Sequence, residues 1–508
     1  MGNRAKTVMF QGTSSNVGKS VLAAAFCRIF YQDGYKVAPF KAQNMALNSF
    51  VTKDGGEMGR AQVVQAQAAG IEPEVVMNPV LLKPTGNSCS QVIVLGKPVG
   101  NLSAQEYHLK YNTTALDVVQ NSLERLSREN EIVVIEGAGS PAEVNLKDRD
   151  IVNMRVAKLA DAPVLLVADI DRGGALASVV GTLELLYSDE RPYVKGIVIN
   201  KFRGDIKLLQ PALDFLEEKT GVPVLGVVPY YTDFSIPEED SVVLEEKQNL
   251  GATGAEKLDI AVLSIPRISN FTDFDPLAAE ADVNLRYVQD AAGLGKPDLI
   301  ILPGSKNTSE DLVFLWETGL AREVIRLAGA GTAVMGICGG YQMLGRMIHD
   351  PDQTESDRGS VAGLGLLDIE TTFLAEKVTL QVKGRVYGQG FCLDLCPAEE
   401  LEGYEIHMGR TELGQVSPAL VLRRGDEEHL DGAVSGRVMG TYLHGIYDND
   451  PFRHHLLTWL WQLQGKAERP VQGGYSARGE REKAFNRLAD LVRSSLDMEK
   501  VRKIMGVS

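Results

Sequence analysis

Thr7-Val8-Met9-Phe10-Gln11-Gly12-Thr13-Ser14-Ser15-Asn16-Val17-Gly18-Lys19-Ser20 is an apolar run that stops in a glycine-bearing turn, and an apolar helical stretch starts at Val21. A strand that enters a helix through such a turn aims backbone N–H groups and a helix N-terminus at an anion. Thr13, Asn16, Val17 and Gly18 would form the cradle. Lys19 would neutralise β- and γ-phosphate charge, and the Ser20 hydroxyl would complete a magnesium shell. The usual phosphate-loop pattern has glycine five positions before Gly18; here that position is Thr13, with Gly12 beside it. The expected cofactors are therefore ATP and Mg2+.

Other short apolar runs follow at Lys36–Phe40, Gln91–Leu95, Ile132–Glu136, Pro163–Ala168, Gly196–Asn200 and Pro223–Val228. They alternate with helical stretches, and most end at or just before Gly, Asp, Asn or Pro. This pattern predicts a doubly wound α/β sheet with its ligands at the carboxyl ends of the strands. A second α/β series occupies Asp259–Ser264, Val283–Val288, Asp298–Pro303, Thr332–Cys338 and Val438–His444, with an antiparallel extension between Leu364 and Gly409. The expected organisation is a P-loop domain over 1–235, a linker over 236–258, a second domain over 259–465 and a helical tail over 466–508. Phe485, Leu488, Val492 and Leu496 share one face of that tail.

Composition narrows the partners. A chain of 508 residues exceeds what one core supports, and a net charge of −15 argues against nucleic acid. No apolar run reaches the ~18 residues of a membrane span. The five cysteines are irregularly spaced, and Cys392 and Cys396 lack the second ligand pair of a zinc site. A cytoplasmic location is expected. Oligomeric state is not legible.

Two acids could complete the metal site: Glu136, which ends a strand and opens Glu-Gly-Ala-Gly-Ser, and Glu57 in Asp54-Gly55-Gly56-Glu57-Met58-Gly59. Asn200 ends another strand, as either a purine contact or a turn residue. At the other end of the chain, Ala333-Val334-Met335-Gly336-Ile337 leads into Cys338-Gly339-Gly340-Tyr341-Gln342. A cysteine on a sharp strand-to-helix turn is a nucleophile elbow, and the helix N-terminus that follows favours the thiolate. The Gly339 N–H would give half of an oxyanion hole, and the loop after Leu302, at Gly304, the other half. His444, in Gly440-Thr441-Tyr442-Leu443-His444-Gly445, is the candidate base. Two residues later stands Ile446, not an acid. Glu405, Asp448 or no acid at all could orient His444.

The shifted phosphate loop, Lys41 in Phe40-Lys41-Ala42-Gln43-Asn44-Met45 and the Glu136-Gly-Ala-Gly turn resemble the dethiobiotin-synthetase-like branch of P-loop enzymes. That resemblance implies phosphorylation of a carboxylate, with Lys41 binding phosphate or substrate. The segment around Cys338 and His444 resembles the class I glutamine amidotransferase domain, which implies glutamine as amide donor. That family usually has an acid two residues after the histidine, where this chain has Ile446, so a loosely oriented His444 is expected, with glutaminase weak until ATP and the acceptor bind. Gln11–Ser20, Pro39–Ser49 and Leu302–Thr308 together make essentially the whole chain similar to the cobyric acid synthase family of cobalamin biosynthesis. Membership implies a corrinoid substrate, amidated at the b, d, e and g carboxylates of adenosylcobyrinic acid a,c-diamide. The alternatives are the sister family that amidates the a and c carboxylates, or a regulatory P-loop ATPase with a vestigial second domain.

Overall fold

A computed structural model describes residues 4–85, 89–103, 106–107, 112–231, 257–396, 400–466, 469 and 476–507. The expected linker lies outside the described residues except for its last two positions.

The first sheet runs Val224–Pro229, Val194–Phe202, Val164–Asp169, Lys6–Gly12, Ile132–Glu136, Val37–Phe40, and every pairing is parallel. Its strands are buried on both faces, as continuous apolar runs require. Gly12, Glu136 and Asn200 all fall at the carboxyl edge, and Lys41 follows directly on Phe40. One expected strand belongs elsewhere. Cys89–Val94 pairs antiparallel with Val80–Pro84 and Lys97–Ser103 in a separate four-stranded sheet. Leu95 and Gly96 both have positive φ (46° and 77°), the two-residue turn that closes a hairpin rather than feeding a crossover helix.

The second sheet runs Val283–Val288, Leu258–Leu263, Leu299–Leu302, Ala333–Ile337, Val438–Thr441, Ala433–Ser435, parallel except at the last strand. Beside it, Ile369–Val386 and Leu401–Leu413 form the long antiparallel ribbon expected between Leu364 and Gly409. The tail helix Ala477–Ser495 starts against this domain, through Arg481 and Asp448, and runs back to the first. It packs on the phosphate-loop helix Lys19–Gln32, burying Phe485, Leu488, Val492 and, just beyond its end, Leu496 in the first domain's core. Arg28–Glu482 (2.7 Å) and Arg493–Asp33 (2.9 Å) flank that contact. Among the described residues no helix is long and apolar enough to cross a membrane.

The two domains touch where it matters for chemistry. Ser49 N–H donates to Asn270 Oδ1 and Phe271 N–H to Asn48 Oδ1, both at 3.0 Å. Tyr404 Oη donates to Ser49 O at 3.3 Å, and Gln381 Nε2 to Val51 O at 3.0 Å. The segment after Lys41 thus lies against the second domain.

Candidate functional site

The phosphate loop has the backbone of an anion cradle. Asn16 (φ 59°) and Gly18 (φ 98°) are left-handed, turning successive N–H groups toward one side. Gly12 explains the departure from the common spacing: a Cβ there would stand 3.0 Å from Lys19 Nζ and 2.7 Å from Ser14 O. Lys19 Nζ bridges Ser14 O (3.0 Å) and Gly139 O (3.2 Å), tying the loop to the Glu136 turn. Asn200 is buried and donates to Val17 O at 2.8 Å, bracing the loop from the side, while its Oδ1 has no partner among the described residues.

Glu136 is the hub beneath the cradle. Its Oε1 accepts from Ser20 Oγ at 2.8 Å and from Lys41 Nζ at 2.9 Å, and its Oε2 accepts from Gln65 Nε2 at 2.6 Å. Burial works against its charge, but the Lys41 ammonium and these donors outweigh burial and hold the carboxyl below its usual range. Ser20, Lys41 and Glu136 are therefore brought together. Gln65 and Asn153, whose amide clamps Ala138 through both N–H and O (2.7 and 3.1 Å), were not singled out from sequence.

Cys338 sits on the expected elbow, between Ala333–Ile337 and the short helix Gly339–Met343, with φ 51° and ψ −108°. That strained conformation is possible because the flanking glycines leave room. A Cβ at Gly340 would meet Leu302 O at 1.9 Å, and one at Gly336 would meet Gly340 O at 2.6 Å. Gly304 and Gly339 border the same place: a Cβ on Gly304 would lie 3.3 Å from His444 Cε1, and one on Gly339 would lie 2.8 Å from Ser305 N. Cys338 and His444 line one pocket with residues of both domains, Lys83 among them.

His444 is not loosely held. Its Nδ1 lies 2.6 Å from Asp273 Oδ2, its ring stacks on Tyr404 (centroids 5.2 Å, 12°), and its backbone exchanges hydrogen bonds with Tyr404. Burial disfavours the imidazolium, but the Asp273 carboxylate, with Cys338 acting in the same direction, raises the pKa to about 10. Nε2 is buried without a partner among the described residues. The orienting acid is therefore Asp273, and the two acids weighed from sequence are committed elsewhere. Glu405 is paired with Arg424 (2.7 Å) and Asp448 with Arg481 (2.9 Å). Asp273 precedes His444 by 171 positions, so no local spacing could reveal it. The only trace in the sequence is a polar run, Ser269-Asn270-Phe271-Thr272-Asp273, just after a buried strand.

Glu57 also departs from expectation. It is fully buried at the domain interface, with Oε1 2.8 Å from Lys83 Nζ and Oε2 2.5 Å from Lys377 Nζ of the second domain. Burial opposes its charge, and the Lys377 and Lys83 ammonium groups overcome that and hold the carboxyl well below its usual range. With both oxygens taken by lysines, Glu57 serves charge pairing between the domains in place of the metal role expected for it.

Residues 8–243 match the family model of the CobQ/CobB/MinD/ParA nucleotide binding domain, and residues 259–452 match that of the CobB/CobQ-like glutamine amidotransferase domain. Among curated proteins, a cobyric acid synthase of Desulfitobacterium hafniense is 62% identical over 99% of this chain and 98% of its own. One of Pelotomaculum thermopropionicum is 59% identical over 99% and 97%. One of Moorella thermoacetica is 57% identical over 99% and 98%.

Proposed function

The chain belongs to the cobyric acid synthase family, and from that premise we propose that its two sites together convert corrinoid carboxylates to amides at the expense of ATP and glutamine. The substrate we assign is adenosylcobyrinic acid a,c-diamide, amidated at its b, d, e and g carboxylates. The observation that carries the reading is a phosphate cradle over Lys19 and Glu136 fused to a Cys338–His444–Asp273 constellation at the domain contact.

In the first site the loop amides and Lys19 hold the triphosphate in line with a substrate carboxylate. Phosphoryl transfer is mostly positioning and charge stabilisation, which is what such a cradle provides. The Ser20 hydroxyl and Glu136 carboxylate, already in contact, are two hard oxygen donors suited to Mg2+, which would neutralise phosphate charge there. Lys41, on the same carboxylate oxygen, can turn to the γ-phosphate or the substrate. The unpartnered Asn200 Oδ1 supports a contact with a purine amino group. The product of this site is an acyl phosphate, whose leaving group ammonia can displace.

In the second site the Cys338 thiol proton rests on His444 as an imidazolium, and the thiolate attacks the glutamine side-chain amide. Asp273 stabilises that imidazolium through Nδ1; the proton on Nε2 passes to the departing ammonia, leaving a Cys338 thioester that water hydrolyses to glutamate and free thiol. Gly304 and Gly339 would bear the oxyanion. Asp273→Asn is expected to lower glutamine-dependent turnover by roughly one to three orders of magnitude, because the wrong tautomer and a less basic ring follow from losing the carboxylate. Amidation from ammonium chloride should persist in that variant. An unchanged glutaminase rate would remove Asp273 from the mechanism.

The function is tested by incubating the protein with ATP, magnesium, glutamine and the a,c-diamide, and counting acid-to-amide conversions by mass. Amidation at b, d, e and g is expected. A product amidated only at a and c, from cobyrinic acid, would move the chain to the sister activity. ATP hydrolysis without any amide would favour the regulatory ATPase.

A further inference from the structure

The pocket above Cys338 holds more charge than thiol chemistry uses. Lys306 and Glu355 line it together with Cys338 and His444. The other two lysines of that wall, Lys83 and Lys377, are already paired with Glu57. The Lys306 ammonium makes no hydrogen bond or ion pair among the described residues, although Glu355 is near enough to attract it.

The Glu355 carboxylate and the loop that carries Lys306 are fixed in place. Lys306 N–H donates to Arg267 O at 2.9 Å, which anchors its loop. Glu355 Oε2 accepts the Thr308 N–H at 2.9 Å, its own N–H donates to Asp350 at 2.8 Å, and its carbonyl accepts from Asn307 Nδ2 at 3.2 Å. A cation and a carboxylate held inside a protein without full pairing are costly unless something else supplies the partners. The molecule that supplies a carboxylate and an ammonium on neighbouring atoms is a free α-amino acid.

We propose that Lys306 and Glu355 form the subsite that grips the α-carboxylate and α-ammonium of glutamine, leaving its side-chain amide at Cys338. The inference rests on the reading of Cys338 as the glutaminase nucleophile. The charge states agree with it. Burial pushes the Lys306 ammonium toward its neutral form and the Glu355 carboxyl toward its protonated form, and an arriving zwitterion would restore both charges. It also gives a physical reason for preferring free glutamine over amides that lack the amino-acid head: each missing charge leaves one buried group unpaired.

The test uses the full-length protein with ATP and the corrinoid present, and follows ammonia release from three compounds. These are L-glutamine, its α-N-methylamide (no carboxylate) and glutaramate (no ammonium). Wild type should prefer glutamine. In Lys306→Met the preference for glutamine over the methylamide should fall by about 10- to 100-fold, mainly through KM. Lys306→Arg, which keeps the charge, should keep most of the preference. In Glu355→Gln the preference over glutaramate should fall instead, so either variant can carry the test if the other does not fold. Equal losses on glutamine and on the blocked analogue would make these residues structural and overturn the subsite. Ammonia release by Cys338→Ala at the wild-type rate would overturn the nucleophile reading, and the subsite with it.

Discussion

Lys19→Ala is expected to abolish amide formation with glutamine and with ammonium chloride alike. The reason is the order of events: acyl phosphate must form before any nitrogen source can react. Lys19 is buried between the loop and the Glu136 turn, with its ammonium 3.0 Å from Ser14 O and 3.2 Å from Gly139 O. Its removal takes away the charge that meets the phosphates and the contact that ties the two loops together. Loss of a preorganised cation from such a site costs about 10²- to 10³-fold or more in rate. The measurement is corrinoid product by mass under both nitrogen sources. Near-normal synthesis from ammonia would take Lys19 out of the mechanism.

Cys338→Ala should split the two nitrogen sources. Glutamine-supported synthesis should fall by about 10⁴-fold or more, as for removal of a covalent nucleophile, while synthesis from high ammonium chloride continues. The substitution adds no atoms to the pocket, and alanine meets the same backbone strain at φ 51° that cysteine already bears. The phosphate site shares no residue with the elbow, so its chemistry should remain. Full turnover from glutamine would show that Cys338 is not the nucleophile. A variant dead with ammonia as well would mean that the elbow also supports the first domain.

The Asp273 clamp changes the argument for control of glutamine hydrolysis. His444, held by Asp273 and Tyr404, gives no ground for expecting weak glutaminase in the absence of ATP. The segment from Lys41 to Ser49 reaches the second domain near Asp273. Lys41 binds the hub carboxylate Glu136, and the segment that follows it ends in Asn48 and Ser49. Those two bond to Phe271 and Asn270, and Asp273 N–H in turn donates to Asn270 O at 3.0 Å. The residue that orients the base is therefore one short turn away from the domain contact.

Features that depend on a few neighbouring residues were open to reading from sequence alone. The phosphate loop and the cysteine elbow are each a strand, a tight turn and a helix start, and the Glu136 turn is a strand that ends in a glycine-bearing loop. Their glycines, their hydroxyl or thiol and the apolar run before them lie within about a dozen positions, so composition dictates backbone and backbone dictates chemistry. The alternation of apolar runs and helices likewise set two α/β domains, but it put Gln91–Leu95 in the first sheet, whereas that run closes a hairpin through Leu95 and Gly96. Tertiary structure alone decided which charged groups face each other across the fold. Asp273 reaches His444 from 171 positions upstream, and Glu57 meets Lys377 from 320 positions away. A carboxylate looks the same in sequence whether it will meet a metal, a histidine or a lysine. Its role is set by the partner that burial forces upon it, because an ion taken out of water must find its counter-charge wherever the packing of two domains happens to place one.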